Sequence, residues 1–163
     1  MKLSETVTYD DHDPATVFDL ICDQAFRESV GPKIHAISQE VSVTRDGDQA
    51  TVKIVRIMPA EMPDFVKKLV GETVEVRQTE TWGAADSAGN RTGEVEVLIK
   101  GQPASMQGTS ALRSTSGGTE LTVNGDVVVK IPFLGKKIEP EVKKAIVSAL
   151  RTEAKEGNAH LKK

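Results

Sequence analysis

Residues 127–146 read VVVKIPFLGKKIEPEVKKAI, and this stretch decides the fold. A β-branched apolar run ends at Pro132, because proline cannot donate a hydrogen bond to a strand ladder. Beyond Gly135 the apolar residues recur at spacings of three and four as far as Leu161, which predicts one long amphipathic helix. We place its start near Glu139, with Pro140 in the first turn. A helix of about 22 residues is ~33 Å long and can therefore cover a whole sheet face.

The residues before this helix alternate with a period of two, which predicts antiparallel strands with one buried and one solvated face. A weaker strand is predicted at residues 4–10, and another runs from Ile37 to Val43, with a hairpin turn at Asp46-Gly47. The clearest alternation lies in residues 50–58, 72–82, 93–100, 104–115 and 119–131. The sheet should contain about six to seven strands, by this count of alternating segments.

Three short helices complete the predicted order of elements. Asp13 provides an N-cap followed by Pro14 at the first helical position. Asp23 provides a second N-cap, for a helix that we expect to end near Gly31. Residues 63–70, PDFVKKLV, have helical apolar spacing and are followed by Gly71. The predicted fold class is α+β, with residues 1–163 forming one domain.

Composition excludes several classes of protein. The 163 residues carry a net charge of -3 without a dense basic stretch, which argues against nucleic-acid binding. No segment approaches the ~20 apolar residues of a membrane span, so we expect no integral membrane association. The single cysteine, Cys22, rules out an internal disulfide and favours a cytoplasmic location.

The order strand, two short helices, antiparallel strands and long terminal helix resembles the helix-grip fold of the START-like (SRPBCC) superfamily. That superfamily includes pollen-allergen, polyketide-cyclase and lipid-transfer branches. The resemblance rests on DPATVFDLICDQAFRE at residues 13–28 and on GDVVVKIPFLGKKIEPEVKKAI at residues 125–146. With its PDFVKKLVG insertion and a strand ending in TETW, the whole chain is most similar to an uncharacterised actinobacterial family within the superfamily. The departure is Pro140, at the point where the terminal helix usually begins smoothly.

This resemblance implies a cavity between the sheet and the terminal helix, often occupied by an apolar or amphipathic ligand. It implies no reaction, because the superfamily contains enzymes, carriers and regulatory binders. The predicted partner is therefore a lipid-like or polyketide-like small molecule. The sequence does not define the oligomeric state.

Metal and nucleophile chemistry have little support in the residue pattern. His12, His35 and His160 are far apart, and none has a second ligand at metal-binding spacing. Cys22 lies in an apolar segment, where cysteine is usually a small core residue. We predict no metal and no cofactor.

Polar residues on the predicted inner face are the more informative signal. Gln78 and Glu80 share the face of Trp82, and Arg56 shares the face of Ile54. A buried charge costs free energy unless it is paired with an opposite charge or hydrated. These side chains therefore either line a cavity, form an internal Arg–Glu pair, or lie at a strand end or bulge that is open to solvent.

Two alternatives stay open for the helix at residues 63–70. Phe65 and Leu69 either close the end of the core or form a movable gate.

Three hypotheses remain for the function of the cavity. A binding protein is the leading hypothesis. The second is a cyclase or dehydratase with Glu80 as acid–base residue and Arg56 or Gln78 polarising an oxygen, and the third is a macromolecular interaction module. The predicted ligand-binding residues are Arg56, Met58, Phe65, Leu69, Val76, Gln78, Glu80, Val97, Ile99, Met106, Ser110, Val123, Val127, Val142 and Ile146.

Overall fold

Seven strands form one curved antiparallel sheet, which the alternating residues predicted. The computed structural model describes residues 1–163. The strands are β1 Lys2–Asp10, β2 Ser38–Asp46, β3 Gln49–Pro59, β4 Thr73–Trp82, β5 Arg91–Ile99, β6 Ala104–Thr115 and β7 Gly118–Val129. Their order across the sheet is β1-β7-β6-β5-β4-β3-β2. The predicted α+β helix-grip fold is therefore confirmed.

Two short helices, α1 Pro14–Ile21 and α2 Gln24–Lys33, join the strands at opposite edges of the sheet. The Asp13 carboxylate accepts a hydrogen bond from the Thr16 amide at 2.9 Å, and the Asp23 carboxylate accepts one from Phe26 at 3.0 Å. Both predicted caps are therefore present. Helix α2 continues two residues beyond Gly31 and includes Pro32. Proline cannot donate to the Glu28 carbonyl four residues earlier, and Gln39 Nε2 donates to that carbonyl instead, at 2.6 Å.

The long helix α4 spans Gly135–Leu161 and begins four residues before the predicted start at Glu139. Gly135 and Ile138 already donate helical hydrogen bonds to Ile131 and Leu134, at 2.8 and 3.1 Å. Pro140 lies after this first turn, and its missing amide removes one helical hydrogen bond. At its other end Gly157 has no side chain, so the helix packs directly against the Tyr9 ring.

Helix α3 spans Asp64–Val70 and buries only Val66. Phe65 and Leu69 are 41% and 43% exposed. The strand register puts Pro59 opposite Thr73 and Ala104 opposite Val129, so α3 and the start of α4 lie at the same end of the sheet.

Helix α4 packs chiefly on β1, β7 and α2. The inner face of the central strands is therefore not fully covered, and space is left beneath the helix. At the other end of the sheet the Arg91 guanidinium lies 3.7 Å from the centre of the Phe18 ring, and this ring contacts Trp82 edge-on. These three side chains close that end.

Candidate functional site

A cavity of about 460 Å³ lies between the sheet and α4. This volume falls within the usual range for small-molecule sites. Its walls are mainly apolar side chains that point inward because they occupy alternate strand positions. They include Ile54, Met58, Val76, Val95, Val97, Ile99, Met106, Leu121, Val123, Val142 and Ile146.

The cavity opens to solvent beside the first half of α4. The exposed lining residues are Lys33 at the end of α2, His35 after it, Glu61 after β3, and Lys144, Ala145 and Ser148 on α4. By contrast, lining residues near the Trp82 end are buried. A ligand would therefore enter between α2, the segment before α3, and α4.

The inner part of the cavity contains a buried ion pair between Arg27 of α2 and Glu80 of β4. Arg27 is 1% exposed, and it donates from Nη1 and Nη2 to the two Glu80 oxygens at 3.1 and 2.6 Å. Gln78 and Trp82 add hydrogen bonds to Glu80 at 2.6 and 3.2 Å. The three residues on β4 point the same way because they are two positions apart.

These four hydrogen bonds determine the charge state of Glu80. Burial acts to raise the pKa of this carboxyl, but the Arg27 charge and the donated hydrogen bonds outweigh burial and lower it overall. Glu80 is therefore an ionised acceptor that is already fully engaged. An acid–base role for Glu80 stays a prediction, and this geometry offers it no support.

Arg56 extends the polar cluster toward the mouth. Its Nε donates to Gln39 at 3.0 Å and its Nη2 donates to the Arg27 backbone carbonyl at 2.8 Å. Arg56 thus contacts the backbone of Arg27 and is not the ion-pair partner of Glu80. The internal Arg–Glu pair anticipated from the sequence exists, with Arg27 as the arginine.

Glu153 is a second carboxylate at the cavity wall, on α4. Its side chain is 12% exposed, and its Oε2 lies 3.4 Å from Arg27 Nε. This Nε is buried and has no hydrogen-bond partner, so the contact is electrostatic only. Burial raises the pKa of Glu153, and the Glu80 charge adds to the rise, against the opposing charges of Arg27 and Arg56. Glu153 therefore differs from Glu80 in having free oxygens and a high proton affinity.

The structure places most of the predicted ligand-binding residues on the cavity wall. These are Arg56, Met58, Val76, Gln78, Glu80, Val97, Ile99, Met106, Ser110, Val123, Val142 and Ile146. Phe65, Leu69 and Val127 are not lining residues. The first two point to solvent because Val66 is the residue that anchors α3, and Val127 is wholly buried where α4 covers β7.

Arg27 and Glu153 were missed from the sequence. A signal for Glu153 exists, since it lies four residues after Ala149 and seven after Ile146, within the apolar stripe of α4. A carboxylate in such a stripe indicates a buried charge. Arg27 has a weaker signal, three residues before the buried Val30 on a short helix.

Histidine and cysteine side chains do not assemble into a site. No group of three or more His, Cys, Asp or Glu side chains is placed to hold a metal ion. His35 lines the mouth, whereas His160 packs edge-on against Phe26. Cys22 is buried in the core.

Comparison with known proteins identifies the family. The model of the family described as "Protein of unknown function (DUF2505)" matches residues 4–161. The chain belongs to the DUF2505 family. An uncharacterized protein of Mycobacterium tuberculosis (strain ATCC 25618 / H37Rv) is 32% identical over 98 residues, which is 57% of this chain and 56% of the relative. The match thus spans about half the length of that curated relative.

Solved structures show that this chain has the START-like fold. The STAR-related lipid transfer protein from Xanthomonas axonopodis matches with a TM-score of 0.57 and 17% identity, over 94% of this chain and 85% of that one. A START superfamily protein from Mycobacterium smegmatis matches with a TM-score of 0.56 and 15% identity, over 99% and 97%. In this DUF2505 chain, no helix is both long and apolar enough to cross a membrane.

Proposed function

We propose that this protein binds an amphipathic small molecule, with the apolar part in the cavity beneath α4 and the polar end at the inner cluster. The observation that carries this proposal is the cavity of about 460 Å³, whose walls are mainly apolar, with a polar cluster around Arg27, Glu80 and Glu153 inside and charged side chains at the mouth. A site of this kind gains affinity from apolar burial and orientation from a few polar groups. The lipid-transfer name of one structural relative supports a lipid-like ligand.

A neutral fluorescent probe, N-phenyl-1-naphthylamine, tests this proposal directly. Trp82 is the only tryptophan of the chain and lines the cavity. A probe bound in the cavity should therefore quench Trp82 emission with saturable, one-site behaviour. Native and denaturing mass spectra of gently purified protein would show in parallel whether a ligand accompanies the chain.

Neighbouring residues of β5 offer a matched pair of variants. Val97 points into the cavity, whereas Leu98 is on the outer face and exposed. Val97→Phe should occupy part of the cavity and weaken probe binding about tenfold, a loss of ~1.4 kcal/mol. Leu98→Phe should leave binding unchanged. Equal effects of the two variants, or no saturable binding to the wild type, would overturn the proposal.

Two finer hypotheses accompany the proposal. Catalysis of the cyclase or dehydratase kind, with Glu80 as acid–base residue, stays a prediction. A cytoplasmic location also stays a prediction and rests on the single free cysteine.

A further inference from the structure

The polar cluster of the cavity contains one donor and one acceptor that the protein leaves unused. Arg27 Nε is buried and donates no hydrogen bond. Glu153 lies beside it with Oε2 at 3.4 Å, and this arginine is the only cation within ion-pair distance of Glu153. Buried polar atoms normally find partners. A ligand oxygen that approaches both atoms from the cavity side would supply both missing bonds.

The charges of the cluster constrain the chemistry of that group. Arg27 and Arg56 are the two cations, and Glu80 and Glu153 are the two carboxyl groups, so the formal charges sum to zero once Glu153 is ionised. Glu80 has no free capacity, because Arg27, Gln78 and Trp82 already saturate its oxygens. The group that reaches the cluster therefore meets Glu153 first.

A ligand carboxylate fits this environment poorly. It would add a third negative charge beside Glu153 and Glu80 in a buried site, where like charges repel strongly. A cationic amine would instead face Arg27 and Arg56. A neutral hydroxyl avoids both conflicts, since its oxygen accepts from Arg27 Nε and its hydrogen is donated to a Glu153 oxygen.

We infer that Glu153 is the residue that recognises the ligand's polar end, and that this end is an alcohol or phenol hydroxyl. This inference rests on the proposed binding function and specifies its ligand class. Ser110 lies on the cavity wall in the same cross-strand row as Trp82 and is available for a second polar substituent. The raised pKa of Glu153 is consistent with a carboxyl that lacks strong donors before the ligand arrives.

Two probes of equal chain length, 1-decanol and decanoate, separate a hydroxyl from a carboxylate. Each is used to displace N-phenyl-1-naphthylamine from the wild-type protein at pH 7.5, with Trp82 emission as the readout. We expect decanol to displace the dye at a concentration at least tenfold lower than decanoate. This comparison requires no variant and so does not depend on the folding of one.

Glu153→Gln tests the residue itself. The amide removes one negative charge, so decanol should bind more weakly and decanoate more tightly, and the ratio of their affinities should fall about tenfold. Glu156→Gln, which makes the same change three residues along α4 and outside the cavity lining, should leave the ratio unchanged. Dye affinity of each variant reports whether its cavity is intact.

The outcomes separate the proposed binding function from the assignment of a hydroxyl ligand to Glu153. If the dye does not bind the wild type, the proposed binding function fails and the hydroxyl assignment fails with it. If the dye binds but decanoate matches or exceeds decanol, the hydroxyl assignment alone is overturned. An affinity ratio that is the same in wild type and Glu153→Gln overturns the role of Glu153 while leaving the cavity function intact.

Discussion

Arg27 donates to both carboxylate oxygens of Glu80, at 3.1 and 2.6 Å, although the two residues are 53 positions apart. The pair joins α2 to the middle of the sheet inside the cavity. Removing one member of a buried pair leaves the other charge uncompensated, which typically costs 3–5 kcal/mol.

Glu80→Gln should therefore lower the free energy of unfolding by about 3 kcal/mol at pH 7.5, measured by urea denaturation. The pKa of Glu80 is lowered in the folded state, so its stabilising contribution is present above the unfolded pKa of about 4.3. The contribution is lost as the pH falls through the folded pKa. The difference in the free energy of unfolding between wild type and Glu80→Gln should accordingly narrow only below about pH 4.5.

Glu75→Gln is the matched control for this experiment. Glu75 lies on the same strand and pairs with Arg77 and Lys100, both of which are exposed. A surface pair of this kind contributes at most about 1 kcal/mol. Equal losses from Glu75→Gln and Glu80→Gln would contradict the importance assigned to the buried pair.

Glu153→Gln should show the opposite dependence on pH. The pKa of Glu153 is raised in the folded protein, where Arg27, Arg56, Glu80 and Tyr9 surround it. The wild type therefore loses stability as the pH rises from the unfolded pKa to the folded one, whereas the amide does not titrate. The melting temperature of the variant relative to wild type should increase between pH 4.5 and 8. A constant or shrinking difference would contradict the raised pKa.

Gly157→Ala tests the close packing of α4 on β1. A Cβ atom at this position would lie 2.6 Å from Tyr9 Cε1 and 3.2 Å from Leu20 Cδ2, and both side chains are buried. Overpacking costs 1–3 kcal/mol, which exceeds the gain of about 1 kcal/mol in helix propensity. We expect a lower melting temperature. In the control variant Gly117→Ala the new methyl group meets no atom within 4 Å, so the melting temperature should change little. A higher melting temperature for Gly157→Ala would contradict the close packing of α4 on β1.

Cys22 should be unreactive in the folded protein. Burial raises the pKa of its thiol to about 11, and the residue is 8% exposed. Since the thiolate is the reactive form, Ellman's reagent at pH 8 should label native protein at least a hundredfold more slowly than protein in urea. Rapid labelling of the native state would place the thiol at the surface.

Periodicity predicted the fold well because each strand has one buried face. The segment predicted at residues 104–115 coincides with β6, and the other elements differ from prediction by only a few residues. The largest difference in a helix start, at α4, arose because Pro140 was assigned to the first turn. The bond from Gly135 to Ile131, which starts the helix earlier, depends on the close approach of backbone to Val129 and leaves no sequence pattern.

The candidate site was only partly predictable for a different reason. Alternation placed Arg56, Gln78 and Glu80 on the inner face, but the partner of Glu80 comes from α2 and depends on how that helix docks. Predicting Glu153 would have required asking which residues of α4 share the face of the apolar stripe. Listing the apolar residues alone leaves a carboxylate on that face unnoticed. Phe65 and Leu69 were assigned to the cavity because helical spacing identifies an apolar side without showing whether a partner covers it.

The pairing of β1 with β7 affects the order in which the nascent chain can assemble. Lys2 pairs with Asp126 and Asp10 with Gly118, so β1, which is made before the other strands of this sheet, finds its neighbour only after five of them have been made. Contacts of such sequence separation form late, because the connecting chain must first be ordered. The β2–β6 meander, built from consecutive hairpins, can form earlier and leaves one edge of β6 open until β7 emerges. A chaperone that holds unpaired strands would therefore act on this protein before β7 has been synthesised.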